Sequence, residues 1–575
     1  MPSLVAKTVR GRKYWQIVES RRVNGQPRSF VLAHLGRPDT LLARLQAGAA
    51  GARVRSVAHG AVAALWARAQ ALDLAALIDA QVPRDRRGRV PHRDGLTPGQ
   101  SLVLATIARA CRPLSKRAFA AWAAGTSLGR LAGTTVARLT SQHFWDQMAA
   151  VPVAALPTIE EAVVRRVVEQ EALAPDTLFY DTTNFFTFID STNTRPTLPQ
   201  RGHNKQKRHD LRQLGLALVV SREGQLPLFH LLYEGNRPDV RTFPEVLTSV
   251  RTRLERLFGA APPLTLVYDK GNVSRATQQQ VGDLPLHYVT SVVPSQHPAL
   301  LAEALPQLTP VSLPSGEAVP AYRTRQRLWG QERTLVVLRS ERLREGQVRG
   351  LHQQLAKRMR MLAAITAGLE APRGGRGRRE VLERRVADVR RGQYLRPLLH
   401  IEIHQEHGRW RLAAGVDAAE YQRLTQERFG LRVIRTARDD LSTAEIITAY
   451  RGQSRAERAF REMKDPEGCA LRPQYHWTDQ KLQVHAFGCV MAFLLLKLLA
   501  RQAHRAGLPI RSLRRLLREL DRIREVMVIE PGPRGRPRVR RQLEDLDPSA
   551  ERLAACFGLR PSTLATPVVT TGPSA

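Results

Sequence analysis

The sequence predicts an α/β protein whose main layer is a mixed sheet flanked by helices. Three observations predict it. Short apolar runs such as 177–183 and 264–268 are typical of buried strands, and a helical periodicity such as that of 243–257 lies between them. The 575 residues suffice for about two to four domains. A β-hairpin and a helical region precede this sheet, and a β-rich and helical insertion interrupts it.

Charge indicates the class of partner. The net charge is +37 and the isoelectric point is about 11.3, which favours a polyanion such as nucleic acid. The alternative is a GC-rich genome, whose codons favour Arg whatever the function of the protein. The many Ala, Gly and Pro residues also fit that bias. The four cysteines are not at metal-ligand spacing and fit a reducing cytoplasm. Residues 1–13 lack the apolar core of a signal peptide, and the apolar run 487–496 is shorter than the roughly 20 residues that cross a bilayer. We therefore expect a cytoplasmic, nucleoid-associated protein that does not enter a membrane.

The chain is predicted to have six parts. Alternation around Asn24-Gly25 indicates an N-terminal hairpin, and Ala/Leu-rich periodicity indicates a helical part that either binds DNA or is a plain scaffold. The tail is Pro- and Arg-rich from residue 531, and its end is predicted to be poorly ordered. The predicted boundaries are 1–45 for the hairpin region, 46–172 for the helical domain, 173–300 for the first part of the core, 301–440 for the insertion, 441–523 for the second part of the core and 524–575 for the tail.

The core has a readable element order. The pattern predicts, in sequence, a strand at 177–183, a hairpin of 214–220 with 226–232, a helix at 243–257 capped by Asp239, a strand at 264–268, a helix at 273–281 and a strand at 287–293. The insertion is predicted to contain strands at 334–338, 400–404 and 410–415 around a basic helical segment, 343–391.

Two of the predicted strands end in the same dipeptide, Tyr-Asp. Asp181 and Asp269 each follow an apolar run, where a carboxylate needs a partner. Either one alone could be a turn residue or a helix cap, and Asp-Lys-Gly at 269–271 does resemble a turn. Two parallel occurrences favour a shared function. Carboxylate oxygens suit Mg²⁺ or Mn²⁺, and two such ions support phosphodiester chemistry.

A later helix supplies a third carboxylate. At about 100° per residue, one polar stripe forms beside an apolar face. The stripe contains Tyr450, Gln453, Glu457, Arg461 and Lys464. A solvated helix face with ordinary ion pairs is the alternative. Glu462 is predicted to face away, and Asp190, Asp210 and the cap Asp239 are set aside.

Several segments together resemble the DDE transposases of bacterial insertion sequences, in the insertion-sequence-four group with an RNase H-like core. The resemblance covers about 175–500. It is carried by Tyr180-Asp181-Thr182-Thr183, Gly235-Asn236-Arg237-Pro238-Asp239, Tyr268-Asp269-Lys270-Gly271-Asn272, Glu457-Arg458-Ala459-Phe460-Arg461-Glu462-Met463-Lys464 and Arg472-Pro473-Gln474-Tyr475-His476.

The resemblance implies specific roles. Asp181, Asp269 and Glu457 would be catalytic and would bind Mg²⁺ or Mn²⁺ as two ions, and Tyr450 and Lys464, helped by Arg461, would contact DNA phosphates. Gln453 departs from the pattern, because Arg is usual there. The resemblance further implies cutting of transposon ends, strand transfer into target DNA and a homodimer on paired ends. A nuclease of the same fold without strand transfer and an inactive DNA-binding derivative are the alternatives.

Other candidates for DNA contact lie outside the stripe. His203, Lys205, Lys207 and Arg208 form a basic loop that either contacts the DNA backbone or is a solvated turn. Trp329 or Trp410 in the insertion could stack on a flipped base or pack in a core.

Overall fold

A computed structural model of the chain describes residues 2–9, 11–23, 26–40, 53–173, 176–190, 192–204, 206–258, 264–282, 287–372, 374, 378–472, 474–530 and 538–559. It has two compact units. The first consists of Met1–Arg68, Arg117–Thr140 and Gln502–Ala575, and the second of Ala69–Lys116 and Ser141–Arg501.

The strands are numbered in chain order. They are β1 (Pro2–Val9), β2 (Arg12–Val23), β3 (Gln26–Gly36), β4 (Arg53–Ala58), β5 (Thr177–Phe186), β6 (Gln213–Ser221), β7 (Pro227–Glu234), β8 (Thr265–Tyr268), β9 (His287–Val292), β10 (Thr309–Ser312), β11 (Ala318–Leu328), β12 (Gln331–Arg339), β13 (Leu399–Glu406), β14 (Arg409–Val416), β15 (Leu431–Thr436), β16 (Arg524–Glu530) and β17 (Arg538–Leu543).

The α-helices are numbered in the same way. They are α1 (Gly60–Ala71), α2 (Leu74–Asp79), α3 (Pro98–Cys111), α4 (Phe119–Ala124), α5 (Leu128–Leu131), α6 (Ser141–Ala149), α7 (Leu156–Glu171), α8 (Asp239–Phe258), α9 (Arg275–Gly282), α10 (Pro298–Ala304), α11 (Glu341–Glu370), α12 (Arg379–Val389), α13 (Leu395–Leu398), α14 (Ala418–Arg423), α15 (Thr443–Arg451), α16 (Ser454–Lys464), α17 (Asp479–Arg505), α18 (Leu513–Asp521) and α19 (Pro548–Phe557).

The first unit contains two small antiparallel sheets. The predicted N-terminal hairpin is present as β2 and β3, although its turn residues Asn24 and Gly25 lie outside the described residues, and β1 adds a third strand. In the other sheet β16 pairs with both β17 and β4. The region predicted as a tail thus contributes strands and a helix, whereas the end that we expected to be poorly ordered, 560–575, lies outside the described residues.

The second unit is built on a nine-stranded mixed sheet within the described residues, in the order β10-β11-β12-β15-β9-β8-β5-β6-β7. β5, β8 and β9 are parallel, and the other pairs are antiparallel. The order β7-β6-β5-β8-β9 with these directions is the RNase H-like arrangement, which confirms the predicted fold class. Strands from the predicted insertion, β10 to β12 and β15, extend the same sheet.

Helices cover this sheet and explain its apolar strands. The residues of β6 are all buried, as a central strand covered on both faces requires. α15 packs on β8, β9 and β15, and α16 packs on β5 and β6. Within the insertion, α11, α12, β13 and β14 enclose a separate hydrophobic cluster around residues such as Leu362 and Leu398.

The most apolar helix is α17. By length and composition it is the one described helix able to cross a membrane, and the bent pair 141–149 and 153–171 would count as a second candidate if taken as one span. However, 89% of the most apolar window of α17 is buried inside the protein, as is typical of a core helix.

Candidate active site

The two Tyr-Asp dipeptides lie side by side. In the parallel pair β5–β8, Tyr180 is opposite Tyr268, so Asp181 and Asp269 follow at the same edge of the sheet. The rings of both tyrosines are fully buried and pack on Phe243 of α8, at centroid distances of 5.0 and 4.5 Å. The repeated dipeptide therefore has a structural cause, because the tyrosine anchors each strand in the core just before the carboxylate.

Asp269 is held by a hydrogen-bonded tyrosine. The Tyr450 hydroxyl donates to Asp269 Oδ1 at 3.2 Å, lies 2.8 Å from Ser291 Oγ and accepts a hydrogen bond from Arg432 Nη1 at 3.1 Å. Tyr450 is only 5% exposed. Burial, followed by the charge of Asp269, raises the pKa of the Tyr450 hydroxyl, so the group stays protonated and keeps its proton for Asp269.

The prediction that a single helix carries the polar stripe is wrong. α15 ends at Arg451 and α16 begins at Ser454, with a tight turn at Gly452 and Gln453. A Cβ on Gly452 would lie 2.4 Å from the Phe179 ring, so only glycine allows the backbone to pack this closely on β5. The stripe is thus divided between two helices, and the glycine lets the turn between them lie against β5.

Gln453 stands at this turn and is 7% exposed. Its Nε2 donates to the carbonyl oxygen of Tyr180 at 2.8 Å, immediately before Asp181. Its Oε1 is buried and has no hydrogen-bond partner among the described residues. The residue that departs from the family pattern therefore contacts the backbone of the strand that carries Asp181.

Like charges surround Asp181. Burial first, and then the charges of Glu457, Asp269 and Asp239, raise the pKa of Asp181 to about 7, against a hydrogen bond from the Thr182 backbone that lowers it. The structure thus brings together the three predicted carboxylates, with Glu457 exposed on α16. Within the described ranges, however, no group of three or more His, Cys, Asp or Glu side chains is close enough to hold a metal ion.

Asp239 is a fourth carboxylate that sequence reasoning set aside. The helix begins at Asp239 rather than after it, so the prediction of a cap is wrong. The Tyr233 hydroxyl donates to Asp239 Oδ1 at 2.8 Å, and the charge of Asp239 contributes to the raised pKa of Asp181. The segment Gly235-Asn236-Arg237-Pro238-Asp239 resembles the family pattern, and this resemblance could have indicated that Asp239 lies near the other carboxylates.

Lys464, at the basic end of the polar stripe, lies beside the later part of β5. Lys464 donates to Thr183 Oγ1, and its ammonium group lies 5.2 Å from the centre of the Phe185 ring. Arg461 is exposed. Glu462 pairs with Lys497 at 2.6 Å on the other side of α16, as the prediction that it faces away requires.

A cleft of about 1280 Å³ opens beside Asp269. Asp269, Tyr450, Gln453 and Glu457 are among its lining residues, whereas Asp181 is not. Its basic lining residues are Lys270, Arg342, Arg423, Arg428, Arg432 and Arg451. Glu317, Glu341 and Glu427 line it as well, so two of the three carboxylates lie in a cleft with charges of both signs.

The basic loop is only partly described, because Lys205 lies outside the described residues. Lys207 is exposed, and its backbone N–H donates to the Asn204 carbonyl at 3.1 Å. Arg208 forms a two-pronged ion pair with Asp210, at 2.8 and 2.7 Å. That charge is already matched within the chain.

Both candidate tryptophans are packed. Trp329 packs against a cluster that includes Leu335 and Val433, and the Arg435 guanidinium lies 5.2 Å from the centre of its ring. Trp410 packs against the hydrophobic cluster of the insertion. These contacts fit the core alternative, and base stacking by either ring stays a prediction.

Family comparison identifies the class of protein. Residues 186–495 match the transposase DDE domain, which is more than half of the chain, and the chain therefore belongs to the DDE transposases. Asp269 and Glu457 lie within the matched range, and Asp181 precedes it. Residues 5–64 match the N-terminal domain of IS1634 family transposases. No curated protein matches.

Two similar solved structures are also transposases. One is the piggyBac transposase synaptic complex with hairpin DNA, with 9% identity, 79% of each chain covered and a TM-score of 0.37. The other is the Mos1 transposase paired-end complex with the left transposon end, with 9% identity, 34% of this chain and 60% of that chain covered, and a TM-score of 0.15.

Proposed function

We propose that this transposase cuts the ends of its own insertion sequence and joins them to target DNA, by phosphodiester hydrolysis followed by strand transfer. Asp181, Asp269 and Glu457 are the catalytic residues and the ligands of two divalent ions, Mg²⁺ or Mn²⁺. The observation that carries the proposal is the juxtaposition of these three carboxylates at one edge of the sheet, where Glu457 and Asp269 raise the pKa of Asp181.

The donor chemistry fits a hard divalent cation. The three side chains offer oxygen atoms alone, which Mg²⁺ and Mn²⁺ prefer, and their mutual repulsion is what a bound cation would relieve. When bound, such ions activate the attacking oxygen and stabilise the leaving one. The three side chains of the described structure stand further apart than direct ligation by all three requires.

The chain itself orients the ligands and the DNA. Tyr450 holds Asp269 through its hydroxyl proton, and Arg432 and Ser291 hold Tyr450 in turn. Lys464 is half-buried beside Thr183, and with the exposed Arg461 it provides positive charge for DNA phosphates. Basic side chains of the cleft, such as Lys270 and Arg428, add positive charge on the side of Asp269, among acidic residues of the same lining.

The partners follow from this chemistry. DNA bearing the terminal inverted repeats and target DNA are the substrates, and joining both ends requires two active sites, which a homodimer supplies. The protein would act in the cytoplasm at the nucleoid. The basic loop with Lys205, Lys207 and Arg208 adds backbone contacts, although the pairing of Arg208 with Asp210 reduces its share.

The test is cleavage of DNA that carries the inverted repeats flanking the coding sequence, with Mg²⁺ or Mn²⁺. Wild type should nick the end and join it to a target. Asp269→Ala should bind the same DNA and leave it uncut, with a loss of about 1,000-fold or more, because an essential metal ligand is missing.

Asp190→Ala is the matched control, since Asp190 is exposed and bonds only locally to Thr192. It should cut like wild type. Cleavage by Asp269→Ala would refute the site, and nicking by wild type without joining would favour the nuclease alternative.

A further inference from the structure

Gln453 combines burial with an unpaired hydrogen-bond acceptor. It is more than nine-tenths buried, and its amide is only half satisfied: Nε2 donates to the Tyr180 carbonyl at 2.8 Å, whereas Oε1 meets no donor among the described residues. A buried acceptor left without a donor costs about 1–3 kcal/mol. Such a group needs an explanation in function or in a bound molecule.

The position of Gln453 supplies the explanation. It lines the same cleft as Asp269 and Glu457, and its Nε2 holds the residue directly before Asp181. The amide therefore connects the strand that carries one carboxylate to the turn that precedes the helix carrying another. The packing of Gly452 on the Phe179 ring keeps this turn against β5.

We propose that Gln453 is a positioning residue for Asp181. Its Nε2 fixes the backbone carbonyl of Tyr180 and thereby the carboxylate that follows directly in β5. The unpaired Oε1 is the stability cost of placing an amide at this turn. The effect of this hydrogen bond on cleavage rests on the proposed function, while the hydrogen bond itself can be tested without DNA.

The chain offers a matched control in Gln147 of α6. It is 3% exposed, and its Nε2 donates to the Leu96 carbonyl at 2.8 Å. Unlike Gln453, it does not line the cleft. Gln147→Met therefore removes a buried hydrogen bond from an amide side chain to a backbone carbonyl, at a site that contacts neither β5 nor the basic loop in the described hydrogen bonds.

The first readout is hydrogen exchange in the full chain without DNA or metal. Gln453→Met should speed amide exchange in the segment 177–186, because the strand loses its hydrogen bond to the turn before α16, and Gln147→Met should leave exchange in that segment unchanged. Unchanged exchange in 177–186 for Gln453→Met would overturn the positioning role. This outcome does not depend on whether the protein cuts DNA.

The second readout is single-turnover cleavage of the end DNA. Gln453→Met should lower the rate about 10- to 100-fold with unchanged DNA affinity, as for other residues that orient catalytic groups, and Gln147→Met should not. A wild-type rate for Gln453→Met would overturn the positioning role. Failure of wild type to cut would instead refute the proposed function.

Discussion

Glu160 on α7 and Asp181 on β5 are both withdrawn from solvent in the second unit, and their surroundings are opposite in charge. Glu160 is 1% exposed and pairs with His230 and Arg253. Burial alone would raise its pKa, but the two cationic partners outweigh burial and lower it. Burial also raises the pKa of Asp181, and there the neighbouring Glu457, Asp269 and Asp239 raise it further.

The difference separates a carboxylate that the chain itself pairs from one that it leaves among like charges. A buried charge whose partners are all supplied by the chain holds elements together, here α7, β7 and α8. A carboxylate surrounded by other carboxylates weakens the fold, and such perturbed groups cluster at functional sites. Asp181 is of the second kind, which supports the proposed metal site.

The largest expected effect is the loss of folding stability when the paired carboxylate Glu160 is removed. Glu160→Ala should destabilise the protein by about 3–5 kcal/mol, because it leaves the buried Arg253 without its counter-ion. The shift in the denaturant midpoint of the full chain measures it. Glu255→Ala is the control, since the exposed pair of Glu255 with Arg251 should contribute less than about 1 kcal/mol. Equal shifts for the two variants would show that the buried pairs of Glu160 contribute no more stability than an exposed ion pair.

The opposite sign is expected at Asp181. The pKa of Asp181 is about 7 in the folded protein and 3.8 as its ordinary value. Ionised Asp181 therefore destabilises the folded protein, by an amount that is absent below about pH 4, grows between pH 4 and 7 and is complete above pH 7. Asp181→Asn should therefore stabilise the metal-free protein at pH 8, on the order of 1 kcal/mol or more, since each pKa unit is worth about 1.4 kcal/mol. The melting temperatures of variant and wild type should converge near pH 4. A variant less stable than wild type at pH 8 would show that Asp181 is paired after all.

The last effect is on Mg²⁺ binding alone and concerns the hydroxyl that orients Asp269. Tyr450→Phe keeps the ring and removes the donor to Asp269 Oδ1. It should weaken Mg²⁺ binding about 10- to 100-fold, as loss of an orienting partner does, measured by the Mg²⁺ concentration that raises the melting temperature half-maximally. Tyr421→Phe, which removes a hydroxyl bonded to His352 in the insertion, should leave that concentration unchanged. Identical Mg²⁺ dependence in all three proteins would rule out the orienting role.

Much of the core was predictable because its signals are local. The predicted strands at 177–183, 264–268 and 287–293 correspond to β5, β8 and β9 within three residues, and the hairpin of β6 and β7 is present. The pairing of β4 with β16 was not predictable, since it joins segments more than 450 residues apart and neither carries a sign of its partner. The sequence also did not predict that Tyr450 is buried or that the charge of Asp239 raises the pKa of Asp181. Both depend on which distant segments pack together.

The sequence by itself determined the identity and order of the strands, the two Tyr-Asp ends and the basic character, because apolar periodicity and charge are properties of the chain. Tertiary structure alone decided which carboxylates repel one another and where Gln453 donates. It also decided that position 452 requires glycine, because the Phe179 ring of β5 leaves no room for a Cβ there. Those outcomes depend on distances between distant segments, which packing sets and local sequence does not encode.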